Sequence, residues 1–132
     1  MVVVDTNILA YLLIAGDRTN DAQALYGRDS DWKSEAFLLV EFSNILATYQ
    51  RRGELDPNQV EGLMNDAETR ISGPTHVSHI LALRTAQQYR ISAYDARFIA
   101  TAEKLHAKLV TEDTKLRKAA PRLTMSLADA LS

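Results

Sequence analysis

The chain opens on three consecutive valines that are followed at once by an acid, Val2-Val3-Val4-Asp5. A short run of β-branched apolar residues predicts a strand that is buried on both faces, as in a parallel sheet. Asp5 then lies at the carboxyl end of that strand, where open α/β sheets place their ligands. A carboxylate beside a core strand is costly to desolvate unless a partner compensates it. The rest of the chain must therefore supply what Asp5 faces.

Short apolar runs alternate with helical patterns along the whole chain. Beyond the first strand, we predict strands at 32–36, 75–78, 109–111 and, as an edge strand, 123–126. We predict helices at 7–14, 20–27, 37–52, 57–70, 79–89, 92–106 and 114–119, with a last turn at 127–131. This alternation favours the α/β class, a three-layer α/β/α fold of a single domain over 1–132 with a central, mainly parallel sheet. Right-handed crossovers put the carboxyl ends of its strands along one edge.

The composition excludes several classes of protein. The chain has no cysteine, so it has no disulfide framework and no thiolate metal site. The apolar run from Ile8 to Ala15 is far shorter than the roughly 20 residues that span a bilayer, and we expect a cytoplasmic protein. The net charge of −2 is uneven, because residues 1–83 carry 6 Lys and Arg against 12 Asp and Glu, whereas residues 84–132 carry 9 against 5. A local basic surface in the second part suits a polyanion, although charge alone favours the simpler explanation of a solvated helical surface.

Glu41 is an acid at the border of an apolar helix face. In the helix at 37–52, Leu38, Phe42, Ile45 and Tyr49 recur at helical spacing and form the predicted buried stripe. On the helical wheel, Glu41 falls about 40° from Ile45 and so borders this stripe. Its position suits either a site facing the sheet or a side chain that extends into water.

Asp95 and Asp113 each have a local explanation as well as a functional one. Asp95 lies three residues after Ser92, in the first turn of a predicted helix, where acids interact well with the helix dipole. Asp113 follows the strand at 109–111 as Asp5 follows its own strand, and it also suits an N-cap for 114–119.

Four carboxylates drawn into one pocket require a cation. They repel each other, and at least one pKa rises unless a cation is present. Oxygen ligands without cysteine suit a hard divalent ion such as Mg²⁺ or Mn²⁺. Such an ion polarises a phosphoryl oxygen, lowers the pKa of a bound water and holds a phosphodiester in line. Thr6, Asn7 and Thr111 stand beside the acids and are candidates to orient them or a water.

The acids belong to four short motifs that follow in the order of a known family. The motifs are Val2-Val3-Val4-Asp5-Thr6-Asn7, Leu39-Val40-Glu41-Phe42-Ser43-Asn44-Ile45-Leu46, Tyr94-Asp95-Ala96 and Leu109-Val110-Thr111-Glu112-Asp113. Their acids are separated by 36, 54 and 18 residues. With these motifs the chain resembles PIN-domain ribonucleases, and most of all the VapC-type toxins of type II toxin–antitoxin pairs. The resemblance extends from residue 2 to about residue 127.

The resemblance implies an activity, a metal and partners. The implied activity is metal-dependent cleavage of RNA phosphodiester bonds by an activated water. The implied catalytic residues, which are also the ligands of one or two Mg²⁺ or Mn²⁺ ions, are Asp5, Glu41, Asp95 and Asp113. Their implied supporting residues are Thr111, Thr6 and Asn7. The family also implies a homodimer and a cognate antitoxin whose segment occludes the pocket. Candidates for RNA contact in the basic second part are Arg90, Arg97, Lys115, Arg117 and Lys118.

Other readings remain open at the level of sequence. A phosphatase with an aspartate nucleophile at a strand end needs an Asp-x-Asp pair, and Asn7 stands where its second acid would be. A response-regulator receiver needs an adjacent acidic pair after its first strand, which is absent. A PIN-like module that binds RNA or a protein without cutting it would have the same fold. Trp32 and Tyr26 have rings that stack on bases, although a lone aromatic is more often part of a core or an interface.

Overall fold

The computed structural model describes residues 1–132 and is organised around a four-stranded sheet in which every neighbouring pair is parallel. The strands are β1 (Val2–Val4), β2 (Trp32–Lys33), β3 (Leu109–Val110) and β4 (Thr124–Met125), in the order β2-β1-β3-β4. In the centre, Val3 pairs with Lys33 on one side and with Leu109 on the other. Val3 and Val4 are fully buried, as the valine run predicts.

Eight helices cover this sheet and complete the three-layer α/β/α fold. They are α1 (Thr6–Leu13), α2 (Thr19–Arg28), α3 (Phe37–Arg51), α4 (Pro57–Arg70), α5 (His79–Tyr89), α6 (Ala93–Lys104), α7 (Thr114–Ala119) and α8 (Leu127–Leu131). Every predicted helical segment is present, and the ends differ from the predicted ones by at most two residues. None of the helices is both long enough and apolar enough to cross a bilayer.

Side chains that accept backbone N–H groups fix most of the helix starts. Asp56 and Gln59 form a reciprocal capping box at the start of α4, and Ser92 accepts the N–H of Asp95 at the start of α6. Thr19 and Asn20 are of the residue types that cap helices and suggest a cap for the helix predicted at 20–27, but neither side chain caps α2. The helix begins at Thr19 without a side-chain cap, because the Thr19 hydroxyl accepts the N–H of Gly16 and donates to a carbonyl of the preceding turn.

The strand predicted at 75–78 does not form. Only Thr75 makes a strand-like bridge, with Glu35. Beyond it, the backbone N–H of Val77 donates to the Glu35 carboxylate at 2.9 Å and is lost to any strand ladder. Pro74, which has no N–H, removes a donor on the other side. A long-range side-chain contact therefore replaces the strand predicted at 75–78.

Helix α3 connects the core to the carboxyl edge of the sheet. Its fully buried residues are Leu38, Phe42 and Leu46, so the predicted stripe is rotated, and Ile45 and Tyr49 are only half-buried. Ile45 packs against the edge of the core and also lines a cleft, on the same side of the helix as Glu41. The rotation leaves Glu41 half-buried at the cleft and away from open solvent.

Candidate active site

One cleft of about 420 Å³ lies where β1 and β3 end, and all four predicted acids line it. Asp5 comes directly after β1, Asp113 follows β3, Asp95 lies in the first turn of α6, and Glu41 is on α3. Because β1 and β3 are parallel neighbours, their carboxyl ends lie at the same edge of the sheet, as the sequence predicts. Thr6, Asn7 and Asn44 add polar groups to the lining, and Phe37, Val40, Ile45, Tyr94 and Phe98 form its apolar part.

Asp5 is the most perturbed acid of the cleft. It caps α1, since its Oδ1 accepts the N–H of Ile8 at 3.2 Å, and its Oδ2 accepts the Thr111 hydroxyl at 2.5 Å. The pKa of Asp5 is raised from 3.8 to about 6, chiefly by burial and also by the nearby charges of Asp113 and Asp95, against the opposing effect of the two hydrogen bonds. The free-energy cost of burying the ionised Asp5 carboxylate is therefore not offset by a positively charged partner.

Thr111 ties two of the acids together. This threonine is fully buried, and the hydroxyl that donates to Asp5 also accepts the backbone N–H of Asp113 at 3.1 Å. Asp113 in turn caps α7, because its Oδ1 accepts the N–H groups of Lys115 and Leu116 at 2.9 and 3.2 Å. Helix capping and a place in the cleft are therefore compatible for Asp113, as they are for Asp5.

Glu41 and Asp95 are oriented by neighbouring hydroxyl groups. The buried Thr6 hydroxyl donates to Glu41 Oε1 at 2.6 Å and links the start of α1 to α3. Ser92 Oγ accepts the backbone N–H of Asp95 at 3.0 Å. Burial raises the pKa of Asp95, and the charge of Asp113 adds to the effect, while a hydrogen bond between the Ser92 and Asp95 side chains opposes it.

The lining of the cleft suits a hard divalent cation by its chemistry. It carries four carboxylates and no lysine, arginine or histidine, so every charged donor is an anionic oxygen. The raised pKa of Asp5 shows that this charge is not compensated within the protein. As the side chains stand, no three acidic or histidine groups are close enough together to ligate one ion. Ligation of one ion by three of the carboxylates would require them to move inward, whereas one or two carboxylates with waters are enough to hold Mg²⁺.

The five basic residues predicted to contact RNA lie outside the cleft. Arg117 donates to Glu112 and to the Thr111 carbonyl, and Arg97 donates to Glu35 and to the Val77 carbonyl. The exposed side chains are those of Arg90, Lys115 and Lys118. A role for any of the five in RNA binding stays a prediction.

A second buried carboxylate, that of Glu35, was not predicted from the sequence. This residue is only 2% exposed, and it accepts the N–H groups of Phe37 and Val77 at 2.6 and 2.9 Å and Arg97 Nη1 at 3.2 Å. Arg97 Nη2 also contacts His79 Nδ1 at 2.7 Å. An acid inside a segment predicted as a strand was the only available signal, because its partners lie far away in sequence.

Comparisons with known proteins agree with this fold. The sequence pattern of the PIN domain matches residues 2–121, and the chain belongs to the PIN domain family. It is 25% identical over 125 residues to a protein of Pyrobaculum aerophilum named Ribonuclease VapC3, covering 92% of this chain and 95% of that protein. The crystal structure of PAE2754 from the same organism superposes with a TM-score of 0.78 at 18% identity, over 98% of this chain and 90% of that one. At this identity the second likeness supports the fold alone.

Proposed function

We propose that this protein is a metal-dependent endoribonuclease that hydrolyses RNA phosphodiester bonds. The observation that carries the proposal is the convergence of Asp5, Glu41, Asp95 and Asp113 on one cleft without any cationic side chain. Membership of the PIN domain family supports it, as does the similarity to a protein named as a ribonuclease. The phosphatase reading loses support, because Asn7 lines the cleft where a second acid would be needed.

The four acids would hold one or two Mg²⁺ or Mn²⁺ ions. When bound, such an ion would polarise a phosphoryl oxygen and lower the pKa of a bound water, so that the water loses a proton readily and becomes a nucleophile. Thr111 and Thr6 hold the Asp5 and Glu41 carboxylates through their hydroxyl groups, which limits the rotation of both. Asp5 must be ionised to act as a ligand, so its pKa of about 6 predicts metal binding that strengthens as the pH rises through 6.

We further propose that the protein is the toxin of a toxin–antitoxin pair and forms a homodimer. Its likeness over nearly the full length to a VapC protein supports this role. A cognate antitoxin would then place a segment over the open acidic cleft. A small DNA-binding protein encoded immediately upstream, which suppresses the nuclease activity when mixed with it, is the expected partner.

Nuclease activity is tested with structured RNAs incubated with wild-type protein in Mn²⁺ and in chelator. We expect cleavage with the ion only, and a loss of more than about a hundredfold in Asp95→Asn. Asp129→Asn is a matched control, because Asp129 also lies in a first helical turn behind a serine cap, at α8, outside the cleft. It should cleave as the wild type does.

The outcomes separate the proposed activity from its alternatives. Equal cleavage by wild type and Asp95→Asn would mean a contaminating nuclease or a different site. Tight RNA binding without cleavage by either protein would favour the binding module. Cleavage that survives the chelator would contradict the metal-dependent reaction.

A further inference from the structure

An exposed aromatic ring stands at the rim of the acidic cleft. Tyr94 precedes Asp95 in α6 and is 63% exposed, which is unusual for a ring that is held in place by another side chain. It stacks on Phe37, with the ring centroids 5.3 Å apart and the planes within 9° of parallel. Phe37 covers one face of the Tyr94 ring and leaves the rest of the ring to solvent. We call these two residues the aromatic ridge.

The aromatic ridge separates two hollows. On one side is the acidic cleft, and on the other is a hollow of about 500 Å³ that Arg97, His76 and His79 help to line. Both ring residues line both hollows. A linear polymer that leaves the cleft in this direction crosses the ridge, and the next stretch of its path lies beside two imidazole groups and the ion pair of Arg97 and Glu35.

The buried Glu35 carboxylate holds the base of the ridge. Glu35 Oε1 accepts the N–H of Phe37 at 2.6 Å, at the first residue of α3, and Glu35 Oε2 is bound by Val77 and Arg97. The first turn of α3 is therefore anchored to a segment more than forty residues away in the chain. A fixed ring is a better stacking surface than a mobile one, because less side-chain freedom is lost when a ligand binds.

Stacking also answers an electrostatic difficulty of the cleft. Four carboxylates repel a phosphate backbone wherever an ion does not neutralise them, and no basic side chain lines the cleft. A base stacked on an aromatic ring is attracted without regard to charge, and such contacts are sequence-tolerant because every base has a π-face. The ridge provides this kind of contact one residue away from Asp95.

We propose that the aromatic ridge of Phe37 and Tyr94 is a base-stacking site that positions an unpaired nucleotide of the RNA beside the acidic cleft. The inference rests on the proposed ribonuclease function and names the form of its substrate, a single-stranded or loop segment. Trp32, which the sequence offered for stacking, is 1% exposed and packs edge-on against Tyr26 in the core. Tyr94, which has the exposed face, takes that role.

A double-mutant cycle tests the pairing of ring and base. Binding of short single-stranded oligoribonucleotides, intact or with one abasic position, is measured by fluorescence anisotropy in Mn²⁺, in a Glu41→Gln background that limits cleavage. We expect Tyr94→Leu to weaken binding of the intact strand about tenfold and Tyr94→Phe to change it less than about twofold. At one position of the strand, removal of the base should weaken binding to the Tyr94 protein and have almost no effect on Tyr94→Leu.

Controls guard against effects on folding and on self-association. Leu83→Ala removes another exposed apolar side chain, on α5 outside both hollows, and should leave RNA binding unchanged. Thermal unfolding checks that Tyr94→Leu folds. If sedimentation shows that Tyr94→Leu converts a dimer into a monomer, the ring belongs to an interface between copies and the inference is wrong.

The failure of this inference differs from the failure of the proposed function. If the losses of binding caused by Tyr94→Leu and by base removal are additive at every position of the strand, the stacking site is wrong, even if the wild type cuts RNA. If the effects of Tyr94→Leu and of base removal on binding are not additive but the wild type never cuts RNA, the stacking site is supported and the proposed nuclease activity is wrong. If the protein does not bind the single-stranded oligoribonucleotides at all although the wild type cuts structured RNA, the stacking site is wrong and the proposed nuclease function stands.

Discussion

Two regions of this protein bury carboxylates, and they handle the negative charge in opposite ways. At Glu35, a guanidinium and two backbone N–H groups surround one carboxylate. In the cleft, Asp5 shares its surroundings with three more acids and no cationic side chain, and burial raises its pKa to about 6. A compensated charge contributes to the fold, whereas an uncompensated one is costly to the protein until a ligand of opposite charge arrives. This difference supports our proposal that the cleft is the active site.

The largest expected loss of stability follows substitution of Glu35, whose charge is compensated. Glu35→Gln leaves Arg97 unpaired with its side chain only 18% exposed, and it replaces an acceptor of two backbone N–H groups. We expect the free energy of unfolding to fall by about 3–5 kcal/mol, as measured by urea denaturation.

The surface pair of Asp66 and Arg70 provides the matched control for this substitution. These residues are one helical turn apart on α4, with an N–O distance of 2.9 Å and partly exposed side chains. Asp66→Asn should cost less than about 0.5 kcal/mol. Equal losses in Glu35→Gln and Asp66→Asn would mean that the buried pair makes no special contribution to stability.

At Asp5 we expect the opposite result, a substitution that stabilises the metal-free protein. Above pH 6 the folded protein ionises Asp5 against a pKa of about 6, whereas the unfolded chain ionises it at 3.8. Ionisation therefore opposes folding, and Asp5→Asn should raise the free energy of unfolding of the metal-free protein by up to about 3 kcal/mol at pH 7.5. The gain should shrink as the pH falls below 6 and disappear below 3.8, where Asp5 is protonated in both the folded and the unfolded chain.

Asp56→Asn controls for the helix-cap chemistry of that change. Asp56 caps α4 as Asp5 caps α1, but it is exposed, and asparagine caps a helix about as well as aspartate. The free energy of unfolding of the Asp56→Asn protein should differ little from that of the wild type, both at pH 7.5 and at low pH. A metal-free Asp5→Asn protein that is less stable than the wild type at pH 7.5 would show that the Asp5 charge is compensated after all.

A smaller effect is expected at the threonine that orients Asp5. Thr111→Val removes the hydroxyl that donates to Asp5 and accepts the N–H of Asp113, at a fully buried position. We expect a loss of about 1–2 kcal/mol and a pKa of Asp5 above its wild-type value, read from carboxyl chemical shifts across a pH titration.

Thr101→Val offers the comparison for Thr111→Val. Thr101 is equally buried, but its hydroxyl only donates to the Arg97 carbonyl within the same helix, so its loss should be nearly neutral. If Thr111→Val leaves the pKa of Asp5 unchanged, the hydroxyl does not stabilise the ionised carboxylate.

Local signals were enough to predict most of the fold and to find the acids of the cleft. The valine run, the Asp56 and Ser92 caps and the helical periodicity depend on neighbouring residues, so they could be recognised in one sequence. The acids at strand ends could be found in the same way, and parallel topology accounts for the meeting of Asp5 and Asp113. The order of the four motifs indicated the family that the sequence pattern of the PIN domain then matched.

Contacts between distant segments could not be predicted from the sequence. Glu35 meets Arg97 across 62 residues, and its bond to the Val77 N–H displaced a predicted strand. The stacking of Phe37 on Tyr94 likewise joins two helices whose relative placement no local pattern determines. Each of these contacts depends on how the layers pack, which only the folded chain shows.

A metal titration followed by thermal unfolding tests the central claim most directly. In millimolar Mn²⁺ at pH 7.5, the melting temperature of the chelator-treated wild type should rise by about 3–10 °C, because an ion that binds only the folded state stabilises it. Asp5→Asn should lose this rise, whereas Glu35→Gln should retain it from a lower starting temperature. A wild type whose melting temperature does not respond, or an Asp5→Asn protein that responds equally, would contradict the assignment of the acidic cleft as a metal site.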